Sequence, residues 1–184
     1  MPHIVGISGS LRSGSYNTAL LKAAAELASE GLTITPYTLH GIPLYNGDDE
    51  AATGIPPTVT ALAEAIVAAD GLLIVTPEYN NSIPGVLKNG IDWLSRTDID
   101  AIFGSKPTAI MGASPGGFGT LLSQTAWLPV LKTLGVQPYF GGRMLVSRAH
   151  TVFSPDGTLI DEKVGGQLRE FLRGFTVFIG ESTK

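Results

Sequence analysis

The segment Gly71-Leu72-Leu73-Ile74-Val75 is an unbroken apolar run stopped by Thr76-Pro77. A strand with one wet face alternates apolar and polar residues; a run without polar positions belongs to a strand covered on both faces, as in parallel sheets layered between helices. Ile4-Val5-Gly6-Ile7 is a second such run, closed by Ser8-Gly9-Ser10.

Helical periodicity fills the intervals. Residues 15–30 place Ala19, Leu20, Ala23, Ala24, Leu27 and Ala28 on one face, with Gly31 in position for a C-terminal cap. Residues 32–38 alternate β-branched residues as a strand. A Gly/Pro/Asp-rich loop covers 41–57, and Pro57 opens a helix whose face is Val59, Leu62, Ile66 and Ala69. Residues 83–95 repeat the pattern through Ile83, Leu87, Ile91 and Leu94, with Ser82 as cap and Pro84 in the first turn. A strand at 108–111 precedes a helix at 118–134 carrying Leu121, Leu122, Leu128 and Leu131, with a kink or break expected at Pro129. A fifth strand at 136–140, a Ser154-Pro155-Asp156-Gly157 turn and a last helix through Leu168, Phe171, Leu172 and Phe175, weakened by Gly165-Gly166, complete the chain.

Five strands alternating with helices predict one α/β domain over 1–184, a parallel sheet with helices on both faces. Ligands of such sheets sit beyond the carboxyl ends of the strands. The residues to read for function are therefore in the loops 8–17, 76–84 and 112–119.

Composition narrows the chemistry. There is no Cys, which removes thiolate nucleophiles, iron–sulfur clusters and Cys-ligated zinc, and the only His are His3, His40 and His150. Twelve Lys and Arg against sixteen Asp and Glu, a net charge of −4, argue against a nucleic-acid or anionic-membrane surface. The start lacks a signal-peptide pattern and no apolar run nears the roughly 20 residues of a membrane span, so a cytoplasmic protein is expected. Asn80-Asn81-Ser82 matches a glycosylation sequon but is read as a turn.

In the first loop Gly9 and Gly14 have P-loop spacing, but Ser15 and Tyr16 stand where an NTPase needs Lys and Ser/Thr. The glycine pattern of a dinucleotide fold is also missing. What remains is Ser10, Arg12, Ser15 and Asn17 around a helix N-terminus, a set suited to a phosphate monoester or to a plain capped βα loop. The second loop, Pro77-Glu78-Tyr79-Asn80, offers an aromatic ring among prolines and free amides, either a rigid turn or a support for a planar heterocycle. The third, Gly112-Ala113-Ser114-Pro115-Gly116, matches the nucleophile elbow G-x-S-x-G literally. Pro115 lacks the N–H which that oxyanion hole needs, and no Asp or Glu lies between Ser114 and His150, so a serine hydrolase using Ser114 is disfavoured.

Gly9-Ser10-Leu11-Arg12 with Ser15 and Asn17, then Thr76-Pro77-Glu78-Tyr79-Asn80, Pro84-Gly85, Leu87-Lys88-Asn89 and Ile91-Asp92-Trp93, resembles the NADPH-dependent FMN reductase family, which includes bacterial chromate and quinone reductases and azoreductase-like members. The resemblance implies a flavodoxin-like three-layer sandwich with a five-stranded parallel sheet in the order 2-1-3-4-5. It implies noncovalent FMN, NADPH or NADH as electron donor, a small-molecule acceptor, and a homodimer or homotetramer. It gives the FMN phosphate to Ser10, Arg12, Ser15 and Asn17, and counts Tyr16 among the cofactor-binding residues. The isoalloxazine and ribityl contacts fall to Pro77, Glu78, Tyr79 and Asn80, and a loop closing on the flavin ring to Ser114, Gly116 and Gly117. Lys88 and Asp92 pair at i, i+4, and Trp93 packs. The expected cycle is ping-pong. NADPH or NADH reduces the flavin and leaves, and a quinone, azo, nitro, chromate or ferric acceptor takes its place. No catalytic side chain and no metal are expected. A non-enzymatic electron carrier of the flavodoxin type shares the architecture and is the alternative.

Overall fold

The computed structural model describes residues 1–28 and 31–182. Strands β1 (His3–Ser8), β2 (Thr33–Tyr37), β3 (Gly71–Val75), β4 (Pro107–Ala113) and β5 (Gln137–Pro138) form a parallel sheet in the order β2-β1-β3-β4-β5. That is the expected flavodoxin-like order. The fifth strand is shorter than 136–140. A sixth, β6 (Met144–Val146), pairs with the later part of β4, so two short strands share one edge.

The apolar runs hide a period of two. Ile4, Leu73, Val75, Ala109 and Met111 enter one core with α1 (Tyr16–Leu27), α7 (Ala149–Val152) and α8 (Glu162–Ser182). Val5, Ile7, Leu72 and Ile74 enter a second core with α3 (Pro57–Ala68), α4 (Gly85–Leu94), α5 (Ile99–Phe103) and α6 (Leu121–Leu134). Each Leu or Ile buried this way contributes about 1.5–3 kcal/mol. Gly6 lets α1 close on the sheet: a Cβ there would stand 2.4 Å from Leu21 Cδ1.

Several local expectations change. α1 ends at Leu27 rather than reaching Gly31, and residues 29 and 30 lie outside the described ones. The 41–57 loop contains a helix, α2 (Gly47–Thr53), capped by Asn46. None of its residues is buried, so it has no apolar face for periodicity to detect. Ser82 does not cap α4. Its N–H and C=O instead bond those of Tyr79 at 3.0 and 3.3 Å, and Asn80 and Asn81 between them both have positive φ, 50° and 61°, the geometry of a type I′ turn. α6 begins at Leu121 and passes through Pro129 without a break to an αL cap at Gly135. Gly165-Gly166 likewise does not interrupt α8.

The 41–54 segment is fastened to α4 and the residues just after it. Trp93 Nε1 and Asn89 Nδ2 both donate to Pro43 O, at 2.9 and 2.8 Å. Arg96 pairs with Glu50 at 3.0 Å, and Lys88 pairs with Asp92 at 2.6 Å. No single helix among the described residues is long and apolar enough to cross a membrane.

Candidate active site at the carboxyl ends of β1, β3 and β4

The three loops singled out in the sequence meet where β1, β3 and β4 end side by side. Gly9 N–H donates to Val75 O at 2.9 Å and Thr76 N–H to Met111 O at 2.9 Å, extending the sheet's register by one residue. Gly9 is required by close approach: a Cβ there would lie 2.7 Å from Leu87 Cδ2 and 2.8 Å from Pro77 Cδ. Gly112 is tighter still, with Thr76 O 2.2 Å and Thr120 Oγ1 2.1 Å from a built Cβ.

Loop one gathers unclaimed donors at the start of α1. Ser15 caps α1, its Oγ accepting from Thr18 N–H at 3.3 Å. This leaves the first-turn N–H groups of Tyr16 and Asn17, and those of Ser10 and Gly14, without an acceptor among the described residues. Ser10 is buried, and its Oγ accepts from Arg12 N–H at 3.3 Å, so its own proton stays available. Arg12 is exposed and forms no ion pair among the described residues. Free helix-start amides, a buried hydroxyl and an unpaired guanidinium fit a phosphate monoester dianion.

Two of the side chains assigned to the phosphate or to the ring do something else in the structure. Asn17 is buried, and its amide bonds the backbone of Ala113 twice, which ties α1 to the end of β4. Glu78 turns away from loop two. Its Oε2 accepts the N–H groups of Leu122 and Ser123 at 2.9 and 3.0 Å and caps α6, which has no side-chain cap from Thr120. A carboxylate at a helix N-terminus is where the macrodipole favours it. Their backbone groups, and the 47% exposed ring of Tyr79, remain at the site.

Loop three is closed by Ser114, whose Oγ donates to Gly119 O at 2.6 Å. That proton is therefore committed to a carbonyl and not to a base. Gly116 and Gly117 are exposed, their N–H groups take no acceptor among the described residues, and a Cβ on Gly117 would touch nothing within 4 Å. Next to them Phe118 is 81% exposed.

Some supports escaped the sequence reading. Thr76 Oγ1 contacts Ser123 Oγ at 2.9 Å and accepts from Trp127 Nε1 at 3.1 Å, a buried network joining loop two to α6. His40 holds loop one through a 3.1 Å contact between its Nε2 and Leu11 O. No local pattern signals either, because the partners lie 29 to 51 residues apart.

Unclaimed donors at the start of α1 and free amides on loop three, at the carboxyl ends of a 2-1-3-4-5 sheet, fit a flavodoxin-like FMN-binding protein. The family model of NADPH-dependent FMN reductases matches residues 2–151, and the chain belongs to that family. It is 44% identical over 176 residues to an NAD(P)H-dependent FMN reductase of Pseudomonas aeruginosa, covering 96% of this chain and 94% of that one. It is 37% identical over 181 residues to a quinone reductase of Escherichia coli, covering 96% and 94%. Among solved structures, FerB, a flavoenzyme NAD(P)H:(acceptor) oxidoreductase from Paracoccus denitrificans, superposes with a TM-score of 0.87 at 31% identity over 99% of both chains. The protein is thus an oxidoreductase that uses FMN and NAD(P)H.

Proposed function

We propose that the chain works as a single domain that passes electrons from NAD(P)H to quinones in a ping-pong cycle, and that azo, nitro, chromate and ferric compounds serve as further acceptors. FMN held by these residues would supply the chemistry that accepts a hydride from NAD(P)H and returns two electrons to the acceptor. The observation that carries this reading is how the reactive side chains of the site are spent. Ser114 is bonded to Gly119 O and Glu78 caps α6, so neither serves as nucleophile or base, and the chemistry falls to a cofactor.

The chain's residues then bind and orient. The amides of Tyr16 and Asn17, the Ser10 and Ser15 hydroxyls and Arg12 hold the phosphate. Pro77, Tyr79 and Asn80, with the backbone of Glu78, line one edge of the ring. The free N–H groups of Gly116 and Gly117, with Ser114 bracing their loop, would stabilise negative charge that grows on the flavin on reduction. In this reading donor and acceptor use one side of the flavin in turn, which is the reason for a ping-pong order. The names of the relatives favour a quinone as acceptor. We place the protein in the cytoplasm as a homodimer or homotetramer, following the family.

The test is direct. Purified protein that is yellow, releases FMN on denaturation and oxidises NAD(P)H steadily with a quinone, with parallel lines in a double-reciprocal analysis, agrees with this function. Bound FMN without turnover makes it a flavodoxin-type carrier. A colourless protein whose ester hydrolysis is abolished by Ser114→Ala overturns the reading.

A further inference from the structure

Arg148, between β6 and α7, has φ 50° and ψ 42°, in the left-handed region. Side chains other than Asn and Asp seldom stand there, and an arginine stays only where its neighbours hold it. Four hydrogen bonds do so. Arg148 N–H donates to Gly116 O at 2.9 Å and Ala149 N–H to Ser114 O at 3.0 Å, while Arg148 O accepts from Thr151 N–H at 2.8 Å and from Thr151 Oγ1 at 3.0 Å. Ala149, Val152 and Phe153 are buried and fix this stretch to the core. The Arg148 side chain is exposed and forms no hydrogen bond or ion pair among the described residues. What the fold uses of this residue is its backbone.

That backbone sets the direction of loop three. Along an extended chain successive N–H groups point to opposite sides. At a left-handed residue leading into a right-handed turn they point the same way, as in the nests that hold anions. Here the two N–H groups take two carbonyls of one loop. A trans peptide is planar, so its C=O and N–H are antiparallel. Fixing Gly116 O on Arg148 therefore aims the N–H of Gly117, in the same peptide unit, away from α7. The unit fixed at Ser114 O ends in Pro115 and carries no N–H. A third carbonyl, Gly119 O, is taken by Ser114 Oγ at 2.6 Å. Three acceptors of the loop are spent, and the Gly117 donor is left free and aimed.

We propose that Arg148 is a positioning residue: its left-handed backbone, and not its charge, aims the Gly117 amide at the flavin. The amide then holds reduced FMN more tightly than oxidised FMN, because negative charge grows on reduction. The inference rests on the reading, proposed above, that loop three lies against the flavin.

Three variants of the full chain separate backbone from charge. Arg148→Ala removes the guanidinium and keeps the N–H. Arg148→Gly also removes the resistance to positive φ. Arg148→Pro has no N–H and a φ of about −65°. Anaerobic titrations give the affinities for oxidised and for dithionite-reduced FMN. Arg148→Ala and Arg148→Gly keep the wild-type ratio of the two, and Arg148→Pro lowers it about tenfold, the worth of one hydrogen bond to a charged group. The apoprotein of Arg148→Gly melts no lower than that of Arg148→Ala, since the glycine is unstrained. A ratio that falls in Arg148→Ala, or that holds in Arg148→Pro, overturns the proposal. Amide exchange of the wild-type protein needs no variant and decides the matter even if Arg148→Pro does not fold. The Gly117 N–H gains protection when FMN binds and gains more when that FMN is reduced. With FMN bound and Gly117 exchanging as freely as before, loop three does not meet the flavin, and both the reading and the proposal fail. Protection at Gly117 with an unchanged ratio in Arg148→Pro sinks the Arg148 assignment alone.

Discussion

Asn17 and Ala113 are bound to each other twice: Asn17 Nδ2 donates to Ala113 O at 2.9 Å, and Ala113 N–H donates to Asn17 Oδ1 at 2.9 Å. The pair spans 96 residues and joins the helix start proposed to hold the phosphate to the strand end that launches loop three. Asn17→Ala leaves both buried backbone groups of Ala113 unpaired, which costs about 2–3 kcal/mol and lowers Tm by roughly 5–10 °C for a chain of this size. Asn17→Asp keeps the acceptor but sets a negative charge beside the proposed phosphate site. It is expected to weaken FMN binding more than Asn17→Ala does, in a flavin fluorescence titration. Equal FMN affinity in the two variants would remove the electrostatic part of the argument.

Glu78 caps α6 from another loop. Glu78→Gln keeps an acceptor and loses the charge; Glu78→Ala loses both, for about 0.5–1 and about 1–2 kcal/mol respectively. Urea unfolding measures the order, and amide exchange at Leu122 and Ser123 localises it. If those two amides exchange no faster in Glu78→Ala, the cap is not functioning in solution.

Two glycines of one loop region separate packing from access. Gly112→Ala forces a Cβ against Thr76 O and Thr120 Oγ1 and is expected to destabilise by about 3 kcal/mol or to prevent folding. Gly117→Ala meets open space, so its apoprotein Tm stays within about 1 °C of wild type. A large Tm loss in Gly117→Ala would contradict the geometry.

Arg12 carries loop one's unpaired charge. Arg12→Ala is expected to reduce FMN affinity about 10- to 100-fold through loss of a charge-assisted contact. The salt dependence of binding should flatten in the variant, since the screened charge is gone. Unchanged affinity at low salt would place the phosphate elsewhere.

The Glu50 strap responds to acid. Hydrogen bonds from Arg96 and Tyr45 hold the Glu50 carboxyl below its ordinary value. Its contribution is therefore complete above the usual glutamate range near ~4.3 and fades as pH falls below that, through the lowered folded value. Tyr45 meets Trp93 edge-on at 5.0 Å, so Trp93 fluorescence should change in that acid window and Glu50→Gln should remove the change. Both outcomes are read from one titration at moderate salt.

Much of the fold was legible in the chain. The runs at 4–7 and 71–75 demanded a buried parallel sheet, while Ser10, Arg12 and Ser15 allowed either an anion site or a plain capped loop at a helix start. Other features were not. Asn17 and Glu78 carry the right chemistry for ligand contacts, and nothing local reveals that their side chains bond backbone 96 and 44–45 residues away. α2 stayed hidden because a helix with no buried face leaves no periodicity. The Asn80-Asn81 turn was legible, but the Ser82 cap read beside it was not formed, because the turn engages the Ser82 backbone and α4 starts only after Pro84.

The sequence by itself determined the layers, the strand alternation and the three loops, because hydrophobic period and turn chemistry are local and repeat along the chain. Only the tertiary structure decided which polar atoms are spent and which are free. Hydrogen-bond capacity is finite, and its allocation depends on partners that folding brings together from distant positions. That allocation turned Ser114 into a loop brace and Glu78 into a helix cap. It also left the Ser10, Gly14, Tyr16, Asn17, Gly116 and Gly117 amides, with Arg12, among the unclaimed donors of the described residues.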